Sequence, residues 1–383
     1  MAKHVLTSGQ SLAVGSQGTP SLSTASETAN TFLLAADGTI ATPLKNAVTQ
    51  YPQLSMGYRI GASRPAETFA FSTHGLSGKT IAELSKGGST GMYEQAIAYV
   101  TASARQVEAL HWIQGEADQT FATPQATYLT SLATLHANYT ADIAAITAQS
   151  SLPLITSQTA TWAHYGTPAS IGLAQLKAAR EQAGVYLVGG QYQLEYYTDG
   201  LHMTNVGYYH LGELHARAHE AVVSGAGWAP FAPIGTNLAP TYLDVLFHVP
   251  TGALEFNTTR VPAQPNMGFS LHGTTATITG VSLVASDAVR LTLSKAVTEP
   301  GAAVGYGVAY DNGSVGLGNL TDGETTTSVY DGARLANWAV HFKDDLGIAA
   351  SGETTAFRAS SQALVFRADG GFSPLDVKSI VQG

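Results

Sequence analysis

A chain of 383 residues with 44% hydrophobic side chains can bury a core and, at about 150 residues per domain, form two or three domains. Only 12% of its residues are charged and the formal net charge is −9, so no basic face exists for a nucleic-acid backbone or an anionic membrane, and neither is an expected partner. Cysteine is absent, which excludes disulfides, thiolate nucleophiles and cysteine metal sites, and no apolar run of about 18 residues marks a membrane span. In the first 228 residues, short apolar runs alternate with amphipathic helices, the order of a parallel sheet covered on both faces. Strands are expected at 4–7, 68–72, 109–113, 153–157 and 185–188. Ile97, Val100, Ala104 and Val107 recur at helical spacing, as do Tyr128, Leu132, Leu135, Tyr139, Ile143 and Ile146. A third helix is expected from near Pro168 to before Gly184. A fourth follows Thr204 as N-cap and buries Leu211, Leu214, Ala218 and Val222. The fold class predicted for residues 1–228 is α/β, a doubly wound, flavodoxin-like parallel sheet of five strands with helices on both faces.

After Trp228 the texture changes. The stretch APFAPIGTNLAP, within 229–242, reads as a Pro/Gly-rich linker. Beyond it, period-two alternation at 277–283 and 289–293, with the turn pairs Asn312-Gly313 and Asp331-Gly332, predicts an all-β sandwich over 243–383. This domain is expected to be accessory, with a carbohydrate-binding or assembly role. Any oligomer is expected to form through it. The N-terminus shows neither the basic region nor the apolar core of a signal peptide, so action outside a cell would require another route or an upstream segment.

In an open parallel α/β sheet, ligands gather beyond the carboxyl ends of the strands. The first strand runs into Gly9-Gln10-Ser11 and the second into His74-Gly75-Leu76-Ser77-Gly78-Lys79. The third runs into Gln114-Gly115-Glu116-Ala117-Asp118, and Asp199-Gly200-Leu201-His202 lies after the fifth. A serine hydroxyl needs an imidazole to take its proton and a carboxylate to orient that imidazole, which Ser11, His202 and Asp199 supply. An oxyanion needs donors already aimed at it: the backbone N–H groups of Ser11 and Gly78 and the side-chain amide of Gln114 are the natural suppliers. Taken singly, each signal has a plainer reading. Gly-x-Ser alone is as readily a turn, and Asp-x-x-His alone often caps a helix. Their joint occurrence, in the order Ser, Asp, His and each at a strand end, points to catalysis.

These blocks resemble those of the SGNH (GDSL-type) hydrolases, and among them the sialate O-acetylesterase-like carbohydrate esterases. The resemblance rests on Gly9-Gln10-Ser11, on Trp112-Ile113-Gln114-Gly115-Glu116-Ala117-Asp118 and on Asp199-Gly200-Leu201-His202, and covers residues 1 to 228. It implies a serine esterase that removes O-acetyl groups from carbohydrate, with Ser11 as nucleophile, His202 as base, Asp199 as its partner and Gly78 as the oxyanion glycine. No metal or organic cofactor is implied. Ala117 stands where the superfamily's third-block asparagine would be, and Gln114 is expected to replace it. The β domain is similar to sandwich modules that follow such esterases, including some in phage tail proteins.

Glu116 and Asp118 either tie loop backbone together or contact the substrate. His74 either lines the pocket or is a surface or hydrogen-bonded loop histidine, and Lys79 is read as a solvated charge. His215 and His219 are expected on the exposed side of the last helix, since the intervening residues lack a zinc-peptidase glutamate. Tyr192, Tyr196 and Tyr197 either stack on a sugar or pack in the core. A reading from another class makes the chain a carbohydrate-binding or virion structural module whose α/β domain is not catalytic.

Overall fold

In a computed structural model, the structure is described over residues 2–22, 29–40, 42–44, 48–160, 168–308, 316–348, 364–366 and 372–374. The chain divides into two compact units, Met1–Trp228 with Thr326–Leu335, and Ala229–Thr325 with Ala336–Gly383.

The strands of the first unit are β1 (Lys3–Gly9), β2 (Thr31–Leu33), β3 (Thr42–Pro43), β4 (Phe69–Gly75), β5 (Val107–Ile113), β6 (Leu154–Gln158) and β7 (Val185–Gly190). They form one sheet in the order β3-β2-β4-β1-β5-β6-β7. Every pairing is parallel except that of β2 with β3. The five longer strands alone follow the flavodoxin-type order. The expected count of five is corrected to seven, because β2 and β3 extend the β4 edge with strands too short to show alternation in the sequence.

The helices are α1 (Pro52–Ser63), α2 (Ile81–Leu84), α3 (Met92–Ser103), α4 (Glu116–Thr120), α5 (Gln125–Thr147), α6 (Ser170–Glu181) and α7 (Asn205–Val223). Successive strand residues point to opposite faces. Leu6, Leu110, Trp112 and Leu154 therefore pack under α3, α5 and α6, while Val5, Phe71, Ala109 and Ile155 pack under α1 and α7. Each Leu or Phe fully buried there contributes about 1.5–3 kcal/mol. Thr204 caps α7, accepting from Gly207 N–H at 3.2 Å. Ala104 takes a left-handed conformation that closes α3, so Val107, expected in that helix, begins β5 instead. Among the described residues, no helix is long and apolar enough to cross a membrane.

In the second unit, β8 (Ala232–Leu238), β9 (Tyr242–His248), β12 (Ile278–Ala285) and β13 (Ala288–Leu293) form an antiparallel sheet in the order β12-β13-β9-β8. A second antiparallel sheet holds β11 (Phe269–His272), β14 (Ala303–Tyr306) and β16 (Phe342–Asp345) in the order β11-β14-β16, and β10 (Glu255–Phe256) pairs antiparallel with β15 (Leu320–Thr321). The two sheets meet across Phe247, Phe269, Tyr306 and Phe342, whose ring centroids lie 5.0–6.5 Å apart. The expected linker is corrected: β8 occupies most of it as an edge strand, where Pro233 and Gly235 are tolerated at a register shift. Asn312-Gly313 lies outside the described residues. Asp331-Gly332 turns a short hairpin bridged at Thr327 and Arg334 that belongs to the first unit, with Asp331 against His210 of α7 at 3.1 Å.

Candidate active site

Parallel strands put the ends of β1, β4, β5, β6 and β7 at one edge of the sheet. Past the end of β1, residues 11–17 form a compact turn in which Ser16 N–H donates to the Ser11 carbonyl at 3.0 Å. Gly15 sits in this turn at φ +66°, and a Cβ there would lie 2.2 Å from the Gln50 carbonyl oxygen, so no side chain fits. The turn is tied outward twice. Ser16 Oγ lies 2.9 Å from Ser77 Oγ after β4, and Tyr208 of α7 donates its hydroxyl to the Ser16 carbonyl at 2.9 Å.

Ser11 is buried, 2% exposed. Its Oγ accepts a long bond from Gln10 Nε2 at 3.5 Å, and among the described residues no hydrogen bond joins it to His202. Gln10 is oriented from the other side of the site, because its Oε1 accepts from the Gly115 and Ala117 N–H groups at 3.4 and 3.1 Å. Its amide nitrogen is thereby turned toward Ser11.

Asp199 and His202 share the loop before α7. His202 Nδ1 lies 2.8 Å from Asp199 Oδ2, and Asp199 Oδ1 accepts from the Leu201 and His202 N–H groups at 3.0 Å each. Burial works to raise the Asp199 pKa. The bonds from His202 and from the two backbone N–H groups outweigh it and hold the carboxyl below its ordinary range. The bond at Nδ1 fixes the imidazole tautomer with Nε2 free to accept a proton. Gln17, at the end of the serine turn, reaches the same pair. Its Nε2 donates to Asp199 Oδ2 at 3.0 Å and lies 3.1 Å from His202 Nδ1.

Gly78 is exposed at φ +72° in the loop after β4. Among the described residues, the N–H groups of Ser11 and Gly78 have no hydrogen-bond partner. Gln114, expected as the third oxyanion donor, is differently employed. It is buried, and its Nε2 donates to the Lys79 carbonyl at 3.1 Å and to Asp118 Oδ2 at 2.6 Å, while its Oε1 accepts from Tyr128 at 3.0 Å. Both amide hydrogens are spent, and the expectation is corrected on that ground. Asp118 Oδ2 also accepts from Ile81 N–H at 2.7 Å. Gln114 and Asp118 therefore form a buckle under residues 78–81, and Asp118 is a loop tie.

Glu116 is buried, and among the described residues its Oε2 has no hydrogen-bond partner. Burial pushes its carboxyl up, against the pull of a Thr159 bond and of the charge on His202. His74 is the penultimate residue of β4 rather than a loop residue. It is buried against Ser72 Oγ at 3.0 Å and Gln95 Oε1 at 2.9 Å, which gives it a structural employment. Lys79 pairs with Glu83 at 2.9 Å, and Tyr192 is buried.

His215 and His219 are also corrected: both are fully buried, facing His111 of β5. Gln191 Nε2, Ser157 Oγ, His215, His111, His219 and Glu108 form a chain with successive separations of 2.6, 3.3, 3.0, 3.0 and 3.1 Å. One neutral tautomer per ring satisfies it, each ring donating from one nitrogen and accepting at the other. Among the described residues, no group of three His, Asp or Glu side chains is placed to hold a metal ion.

The contacts of Gln10 and Gln17 are absent from the sequence reading. Gln10 stood in the opening motif beside Ser11, but nothing marked Gln17, whose partners lie more than 180 residues away.

The fold has relatives among solved structures. A carbohydrate acetylesterase from Xanthomonas citri matches with a TM-score of 0.63 at 16% identity, covering 90% of this chain and 80% of that one. A protein from Arabidopsis thaliana matches at a TM-score of 0.46 and 17% identity over 58% of this chain and 99% of that one. An acetyl xylan esterase from Geobacillus stearothermophilus matches at 0.37 and 13% over 58% and 94%. No curated protein sequence matches significantly. The family profile described as carbohydrate esterase, sialic acid-specific acetylesterase, matches residues 22–221, which is more than half of the chain and includes Gly78, Gln114, Asp199 and His202. The chain belongs to this family of carbohydrate esterases.

Proposed function

We propose that the protein is a serine esterase that removes O-acetyl groups from carbohydrate. The observation that carries this reading is the Asp199–His202 pair, bonded at 2.8 Å and tied through Gln17 to the turn that bears Ser11. In the proposed cycle, His202 Nε2 takes the Ser11 proton as Oγ attacks the acetyl carbonyl. The oxyanion is held by the Ser11 and Gly78 N–H groups, with Gln10 Nε2 as third donor in place of Gln114. His202 then protonates the departing sugar oxygen, and water, deprotonated by His202, releases acetate from Ser11. Asp199 keeps the imidazole aligned and stabilises it when charged. The acetyl and carbohydrate assignments rest on family membership.

The test is hydrolysis of p-nitrophenyl acetate beside p-nitrophenyl octanoate by wild type and Ser11→Ala. Acetate turnover that disappears in the variant, with little turnover of octanoate, supports a short-acyl serine esterase. Turnover that survives Ser11→Ala removes Ser11 from the mechanism.

A further inference from the structure

Gln17 adopts φ +68°, a left-handed conformation uncommon for a residue other than glycine and found at sites where the surroundings enforce it. It ends the turn that begins at Ser11, and that turn is held at Ser16 by both Ser77 and Tyr208. From there its amide nitrogen meets Asp199 Oδ2 at 3.0 Å and lies 3.1 Å from His202 Nδ1. Because Nδ1 already donates to the carboxylate, the amide hydrogen of Gln17 goes to Asp199.

We propose that Gln17 is a positioning residue for the reaction, locking the Asp199 carboxylate to the serine turn so that nucleophile and base hold a common register. The proposal rests on the reading of Ser11, His202 and Asp199 given above. Within its own loop Asp199 is already held, Oδ1 by the Leu201 and His202 N–H groups and Oδ2 by His202 Nδ1, so the bond from Gln17 adds a tie between that loop and the serine turn. A loop that shifts against the serine turn carries the imidazole with it and leaves it aimed at Ser11 for less of the time. The link also bridges chain segments 182 residues apart, one carrying the nucleophile and the other the base.

The test reads the reactivity of Ser11 directly, as the rate of its labelling by phenylmethylsulfonyl fluoride, mapped by mass spectrometry across pH. Gln17→Asn keeps the amide and tolerates the left-handed backbone but is one methylene too short to reach Asp199. It is expected to label about ten-fold more slowly with an unchanged melting temperature. Gln17→Glu places a second carboxylate beside the imidazole, and the acid limb of the labelling profile is expected to rise by about one pH unit. Glu116, the other carboxylate whose charge reaches His202, is untouched in both variants. His202→Ala is the control. Wild-type labelling in Gln17→Asn with an unmoved acid limb in Gln17→Glu, while His202→Ala is inert, overturns the role of Gln17 alone. Failure of wild-type Ser11 to label, or equal labelling in His202→Ala, overturns the serine-histidine reading and Gln17 with it. If Gln17→Asn does not fold, the acid limb of Gln17→Glu decides.

Discussion

Gln114 Nε2 donates to Asp118 Oδ2 at 2.6 Å, and through Asp118 the bond reaches Ile81 N–H at the start of α2. The glutamine block thus braces the loop that presents Gly78 instead of facing the substrate. Gln114→Ala is therefore expected to remove a bond from each of Asp118, Tyr128 and the Lys79 carbonyl, with a stability loss of about 2–3 kcal/mol. Urea unfolding checks this. A variant as stable as wild type but slowed by about 2.7–4 kcal/mol in its barrier would restore Gln114 to the oxyanion hole.

Asp199→Asn keeps the shape of the pair but supplies a side chain that can hold His202 in the wrong tautomer. Turnover is expected to fall by about 10⁴-fold with little change in melting temperature. Steady-state kinetics on p-nitrophenyl acetate measure it, and a loss below ten-fold would remove Asp199 from the mechanism.

Replacing Gly15 tests the serine turn. Gly15→Ala forces a Cβ toward the Gln50 carbonyl at a left-handed backbone position, so the expected cost exceeds about 1 kcal/mol. Thermal unfolding and Ser11 labelling should fall together. Wild-type behaviour in both would mean that the turn adapts.

The buried histidines set the pH dependence of stability. Burial holds His4 and His215 at about 3 and His341 at about 4, and with help from the neighbouring His219 and His215 lowers His111 well below its ordinary value. For His4 and His215 the further lowering comes from His74 and Arg105, and from His219, respectively. A depressed folded pKa contributes stability that is complete above the unfolded value near 6.5 and is lost as pH falls from there toward the folded value. Each such histidine is expected to cost about 2 kcal/mol by pH 5. Urea midpoints at pH 7.5 and 5 test this, and His215→Gln should flatten the slope. A midpoint independent of pH would show that these rings are not held neutral.

The parts of the fold visible in the sequence were those with long apolar signals. The five central strands and helices α5 and α7 announced themselves because buried strands read as apolar runs and amphipathic helices as stripes. Helix α1 did not, since its sequence PQLSMGYRIGAS buries glycine, serine and glutamine along with Leu54 and Ile60. Pro52 at its first turn was the available cue. The buried His215 and His219 were misplaced because polarity argues for the surface unless a partner such as His111 is known, and that partner lies on a strand over 100 residues away. In the site, residue type, order and position at strand ends single out Ser11, Asp199 and His202 as candidates, and the bond between Asp199 and His202 agrees with that choice. Gln114 was misassigned because a sequence shows which donors sit near an edge but not which acceptors already hold them.

The most direct test of the central claim is acetate release from O-acetylated carbohydrate by wild type and Ser11→Ala at equal folded concentration. The account predicts release by wild type and none by the variant. Equal release by both, or none by wild type from any acetylated carbohydrate offered, would contradict it.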